Sequence, residues 1–250
     1  MDETLEIIAG KNPVLEALRK GRSINKIMFS KGTEEKSNQE IINLATAKGI
    51  PIEWVPRQLI VQKAETKAHQ GIIAFASPIS YVEIEDILAL ARAKQQDPFI
   101  LLLDHLEDPH NLGAIIRTAE AAGVHGVIIP KRRGVSVNTT VAKTSAGAVE
   151  YVPVARVANL VQAMDKLKQN GCWIVGTDQD AREEFYNADL KGPLTVVVGS
   201  EGKGISRLVK ENCDFTVKIP MVGKINSLNA SVAASVIMYE VYRQREQALV

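Results

Sequence analysis

Short, nearly unbroken apolar blocks alternate with amphipathic stretches through the second half of this chain. FILLLD, VHGVIIP, YVPVA, CWIVGT, LTVVVG and DFTVKIP each have the length of one strand. LGAIIRTAEAAG, VNTTVAKTSAG, LVQAMDKLKQNG and a long final stretch space their apolar residues at helical intervals. A nearly continuous apolar strand such as LTVVV is buried on both faces, which predicts a mostly parallel sheet covered by helices. The fold class is therefore α/β, and in such sheets ligands bind at the carboxyl ends of the strands.

The pattern before Phe99 is different. GKNPVLEALRKG predicts a helix, INKIMFS a strand, NQEIINLATAKG a helix closed by Gly49, and HQGIIAFAS a strand. Residues 1–77 thus read as a small α/β domain. Residues 78–98, with a proline, the amphipathic VEIEDILALARAK and the polar QQDP, read as a linker carrying one helix. Pro98 marks the start of the larger domain, 99–250, and two domains suit a chain of 250 residues.

Composition narrows the class without naming a function. Hydrophobic residues at 46% and charged residues at 24% describe an ordinary globular protein. No segment approaches the ~20 apolar residues of a membrane span, and MDETLEIIAG lacks the basic start of a signal peptide, so a cytoplasmic location is expected. Cys172 and Cys213 show no CxxC spacing and read as core thiols. A net charge of +1 does not advertise nucleic-acid binding, but Lys131, Arg132 and Arg133 stand together between two structured segments. Alone, such a triplet is usually a solvated loop.

Three polar clusters follow predicted strand ends. In DPHNLGAIIRTAEAAG, Asn111 is placed to cap a helix, and Arg117 lies four residues beyond Gly113 on one face. An exposed arginine on an amphipathic helix is the plain alternative to an anion-gripping one. GSEGKGIS, residues 199–206, carries three glycines and the acidic Glu201, but it matches neither the phosphate loop nor G-x-G-x-x-G. In IPMVGKINSLNASVAASVIMYE, residues 219–240, Ser227 and Asn229 stand where a helix of small residues begins; a capped helix is the plain reading. Because strand ends gather on one edge of an open sheet, Arg117, Glu201 and Asn229 are expected to converge on one crevice.

Other clusters carry less. His105 and His110 near Asp104 and Asp108 match no standard metal spacing and read as a loop with capping side chains; no metal is expected. His69 and His125 read as structural or surface histidines. A serine hydrolase lacks its G-x-S-x-G elbow, and a dinucleotide-dependent dehydrogenase lacks its glycine fingerprint.

NLGAIIRTAEAAGV, VVVGSEGKGIS and IPMVGKINSLNASVAASV resemble the three motifs of the SpoU class of RNA ribose 2′-O-methyltransferases. The likeness covers the whole chain: 99–250 resembles the catalytic domain, and the part containing HQGIIA resembles the L30e-like substrate-binding domain. DPHNLGAIIRTAEAAGVHGVIIPK, SAGAVEYVPV and the close of the third motif are most similar to the bacterial 23S rRNA guanosine type. RRGVSVNTTVAK departs from the RSA-type loop of that group. The resemblance implies a SPOUT fold with a C-terminal deep trefoil knot, S-adenosyl-L-methionine as cofactor, 23S rRNA as partner and a homodimer. It implies cofactor contacts at Thr177, Gly199, Ser200, Gly202, Ile219 and Leu228. It implies catalytic roles for Arg117 at the centre and for Asn111, Glu201, Ser227 and Asn229 around it, and RNA contacts for Lys131, Arg132 and Arg133. A tRNA ribose methyltransferase and a non-catalytic ribosome-assembly factor remain the alternatives.

Overall fold

Two sheets organise the chain in the computed structural model, which describes residues 6–22, 24–33, 36–64, 66, 68–76, 80–224 and 227–247. The expected boundary between 77 and 78, and Ile225 and Asn226 of the third motif, lie outside these residues. By contacts the chain divides into a first unit, 1–80 with 137–151, and a second, 81–136 with 152–250.

The first unit is built from β1 (Glu6–Ala9), α1 (Lys11–Arg19), β2 (Ile24–Ser30), α2 (Gln39–Ala47), β3 (Ile52–Val55), α3 (Arg57–Lys63) and β4 (Ile72–Ala76). Strand order is β1-β4-β2-β3, antiparallel except for the β2–β3 pair. Alternation along β4 sends Ile72 and Ala74 to a core with Leu18, Phe29 and Ile41, and Ile73 to a second core with Met28 and Ile60. The two helices and two strands expected from the sequence are present. β1, β3 and α3 were missed because EIIA, IEWV and RQLIVQK are too short to display a period.

The second unit contributes α4 (Ile84–Ala93), β5 (Phe99–Asp104), α5 (Pro109–Ala121) and β6 (Gly126–Pro130). After α6 (Thr139–Thr144), which belongs to the first unit, come β7 (Val154–Val157), α7 (Leu160–Gln169), β8 (Trp173–Thr177), β9 (Glu183–Glu184) and β10 (Leu194–Gly199). The unit ends with α8 (Arg207–Glu211), β11 (Phe215–Lys218) and α9 (Ala230–Gln247). Strand order is β7-β6-β5-β10-β8-β11-β9, and every pairing is parallel. β5 and β10 are buried at every position, as their largely apolar runs require. Ile100, Leu102, Ile128 and Val197 pack with Ile87 of α4 and Met164 and Leu167 of α7. Arg245 anchors the end of α9 by donating to the carbonyls of Asp97, Pro98 and Gly192 at 2.8–3.0 Å.

Residues 137–151 join the first unit through specific contacts. Arg22 is buried between Glu6 and Glu150, 2.9 Å from the latter, and burial raises the Glu150 carboxyl although Arg22 opposes the shift. Gly147 has φ +92°, and a β-carbon there would meet Glu16 at 2.7 Å, so only glycine fits.

One local expectation is corrected. Asn111 does not cap α5; Asp108 does, its Oδ1 accepting the His110 N–H at 2.8 Å, with Pro109 opening the helix. Proline's fixed φ and missing N–H suit the first helical position, which moves the cap upstream and leaves Asn111 inside the first turn. Among the described residues no helix is long and apolar enough to cross a membrane.

Candidate active site

The loop leaving β10 is the first part of the site. A β-carbon on Gly199 would fall 2.0 Å from the carbonyl carbon of Gly204, so the chain doubles back where no side chain fits. Ser200 and Gly204 exchange backbone hydrogen bonds of 3.1 and 2.9 Å, and Gly202 and Gly204 take positive φ. Fully buried Asp104, at the end of neighbouring β5, accepts the Ser206 N–H through Oδ2 at 2.6 Å and holds the loop from below. Its other oxygen meets His105 Nδ1. Sequence spacing separates Asp104 from Ser206 too far to reveal this tie.

The loop presents Glu201 to two helices. Glu201 Oε1 accepts the side-chain amide of Asn111 on α5 at 2.8 Å and that of Asn229, just before α9, at 2.6 Å. Asn229 also donates to Asn111 Oδ1 at 3.0 Å, closing a triangle. Asn229 Oδ1 accepts the Ser231 and Val232 N–H groups at 3.0 and 3.3 Å, so the same side chain caps α9. Three chain segments that together span 118 residues of sequence thus share one polar cluster, with both amide orientations fixed by their partners.

Beside Glu201 lies a cleft of about 490 Å³, within the usual range for a small-molecule site. Thr177, Gly199, Ser200, Gly202, Ile219 and Leu228, all expected as cofactor residues, line it, together with Glu201 and Ser227. Ala230 and Ala233 form part of its wall, and Ala234 is fully buried behind them. Asn111 and Asn229 stand behind Glu201 and do not line the cleft. Asp178 and Lys210 do line it and were not anticipated; the sequence signal was an acid directly after a strand end.

Arg117 is not drawn into the triangle. It is exposed on α5 and makes no hydrogen bond or ion pair among the described residues. Helix geometry gives the reason: six positions past Asn111 is roughly 9 Å along the axis and on a different face. Lys131, Arg132 and Arg133 are exposed directly after β6, on the same strand-end edge, and their loop docks where Val135 N–H meets Leu106 O at 2.7 Å.

Cys172, Cys213 and His125 belong to the packing of the fold. Burial pushes the thiols of Cys172 and Cys213 up to about 11 and about 12, which suits core cysteines. His125 Nδ1 accepts the Phe99 N–H at 3.0 Å, so Nε2–H faces Gln96 Oε1 at 3.0 Å. Burial, with Lys94 and Arg245 adding repulsion, lowers this histidine to about 4. Among the described residues no three His, Cys, Asp or Glu side chains gather as metal ligands.

Comparison with known proteins places the chain. The family model for the SpoU rRNA methylase family matches residues 98–239, and that for RNA 2′-O ribose methyltransferase substrate binding matches 7–82. YacO of Bacillus subtilis, assigned to the TrmH family of tRNA/rRNA methyltransferases, is 51% identical over 245 residues, covering 98% of each chain. The SpoU methyltransferase AviRb from Streptomyces viridochromogenes, solved in complex with AdoMet, superposes with a TM-score of 0.82 at 25% identity, covering 96% of this chain and 90% of that one. A crystal structure of an RNA 2′-O ribose methyltransferase gives 0.81 at 27% identity, covering 98% and 90%.

Proposed function

The chain belongs to the SpoU methylase family, and from that membership we propose that it methylates a ribose 2′-hydroxyl, on guanosine, in 23S rRNA. Its class is that of the RNA 2′-O-ribose methyltransferases. The observation that carries the reading is the Glu201–Asn111–Asn229 triangle at the rim of the 490 Å³ cleft.

The cleft fits S-adenosylmethionine. The doubled-back Gly199–Gly204 backbone and the half-buried Ile219 and Leu228 offer main-chain groups and apolar walls for an adenine, and Ser227 adds a hydroxyl. Bound there, that group supplies an activated methyl on a sulfonium.

The protein's share of the chemistry is alignment and removal of one proton, since a ribose hydroxyl is a poor nucleophile at neutral pH. Glu201 Oε1 is occupied by two amide donors, which leaves Oε2 to accept from the hydroxyl. Arg117 grips the adjacent phosphate and stabilises the developing alkoxide; a guanidinium, which has donors and no acceptor, does not serve as a free base. Lys131, Arg132 and Arg133 hold RNA phosphates along the strand-end edge, and residues 1–77 add the substrate domain's contacts to the catalytic part, 99–250.

The reading includes a homodimer working in the cytoplasm and the deep trefoil knot of the class. Exposed Val232, Tyr239 and Tyr242 on α9 support a partner surface.

The test maps ribose methylation across rRNA and tRNA from cells with and without the protein. A 23S site that loses its methyl supports the proposal, whereas a tRNA site would reassign the substrate. Failure of the purified chain to bind S-adenosylmethionine by calorimetry would leave an RNA-binding assembly factor.

A further inference from the structure

The side of the cleft away from Glu201 holds an ion pair that the chemistry above does not use. Asp178 directly follows Thr177, the last residue of β8, and Lys210 is carried by α8; both face the cleft. Lys210 Nζ is paired with Asp178 Oδ2, and the Asp178 side chain is only 12% exposed.

Both carboxylate oxygens and the backbone of Asp178 are held. Its Oδ1 accepts the Asp180 N–H at 2.8 Å, and the Asp178 backbone N–H donates to Val217 O at 2.9 Å. A carboxylate offers about four lone-pair sites, so acceptor capacity remains on the side that faces open space.

Sheet order separates the two ends of the cleft. Glu201 leans toward α5, which follows β5, whereas Asp178 follows β8 and is tied to β11. From β10, which leads into Glu201, to β8 is one strand spacing, about 5 Å, with β5 on one side of that pair and β11 on the other. Val198, Val217, Ile219 and Leu228 contribute apolar wall to the cleft.

We propose that Asp178 accepts hydrogen bonds from the ribose hydroxyls of the cofactor's adenosyl group, with Lys210 as the positioning residue that holds the carboxylate in place. The proposal rests on reading the cleft as an S-adenosylmethionine site. A vicinal diol brings two O–H donors to an acceptor that donates nothing, and acids near strand ends of α/β nucleotide sites bind ribose in this way. The amino-acid tail is a poorer match. Its carboxylate is repelled by Asp178, and its ammonium gains little from an anion already paired with Lys210.

Calorimetry on the full chain with S-adenosylhomocysteine and its 2′,3′-dideoxy analogue tests the assignment. The parent should prefer the ribose form by about tenfold or more, as charge-assisted hydrogen bonds predict. Asp178→Ala should weaken S-adenosylhomocysteine about tenfold to a hundredfold while barely changing the dideoxy ligand, so that the preference collapses. Lys210→Gln should reduce the preference in part, and Asp178→Asn, which keeps one acceptor oxygen, should retain part of it. These two variants decide the matter if Asp178→Ala does not fold. Equal weakening of both ligands, or an undiminished preference, would overturn the role of Asp178 alone. Failure of the parent to bind either ligand would overturn the cofactor reading itself.

Discussion

Glu201 and Arg117 represent two ways a polar side chain can stand at a site. Glu201 is fixed by Asn111 and Asn229, so its position survives removal of its charge. Glu201→Gln keeps an oxygen for both amides and should leave the melting temperature nearly unchanged. Methyl transfer should fall about tenfold to a hundredfold, the equivalent of ~1.5–3 kcal/mol. An unaltered single-turnover rate would remove Glu201 from proton transfer. Arg117, exposed and without a partner among the described residues, has little structural work to lose. Arg117→Ala should therefore abolish methyl transfer while calorimetry shows nearly unchanged cofactor affinity. Loss of both together would mark the arginine as structural.

At the scale of elements, two side chains set where the site's helices begin. Asn229 caps α9 and holds Glu201 with the same amide group, so the start of that helix and the polar triangle are one construction. Asp108 caps α5 and thereby sets the first turn that carries Asn111. Asp108→Ala should cost about 1 kcal/mol in urea unfolding, the usual value of a lost N-cap. Because Asn111 sits only three residues beyond, methyl transfer should weaken with it. A stability loss with full activity would show that Glu201 and Asn229 hold Asn111 without help from the cap.

For the whole molecule, charge acts at the edge and in the core. Replacing Lys131, Arg132 and Arg133 by glutamine should weaken RNA binding and flatten its salt dependence by a log–log slope of about 2 to 3, with cofactor affinity unchanged. Unchanged RNA affinity would dismiss the triplet as a solvated loop. His125 contributes to acid stability. Its folded value of about 4 lies below the ordinary 6.5, so the unfolded chain takes up the proton first. The stability it contributes is complete above about pH 6.5 and drains away as the pH falls to about 4, in all about 3 kcal/mol. His125→Gln should flatten that decline in urea titrations from pH 7 to 4, and an identical decline in both proteins would refute it. The sequence by itself determined the parallel sheet, because LTVVV and FILLL cannot be solvated on either face, and it marked all three loops of the site as polar punctuation after strands. The family motifs singled out Thr177, Gly199, Ser200, Gly202, Ile219 and Leu228, which line the cleft. Tertiary structure alone decided that Asp108 caps α5, that 137–151 packs with the first unit, and that Asp178 and Lys210 meet. Periodicity reports which face of an element is buried, whereas a hydrogen bond between distant residues depends on where the strand ends are brought together.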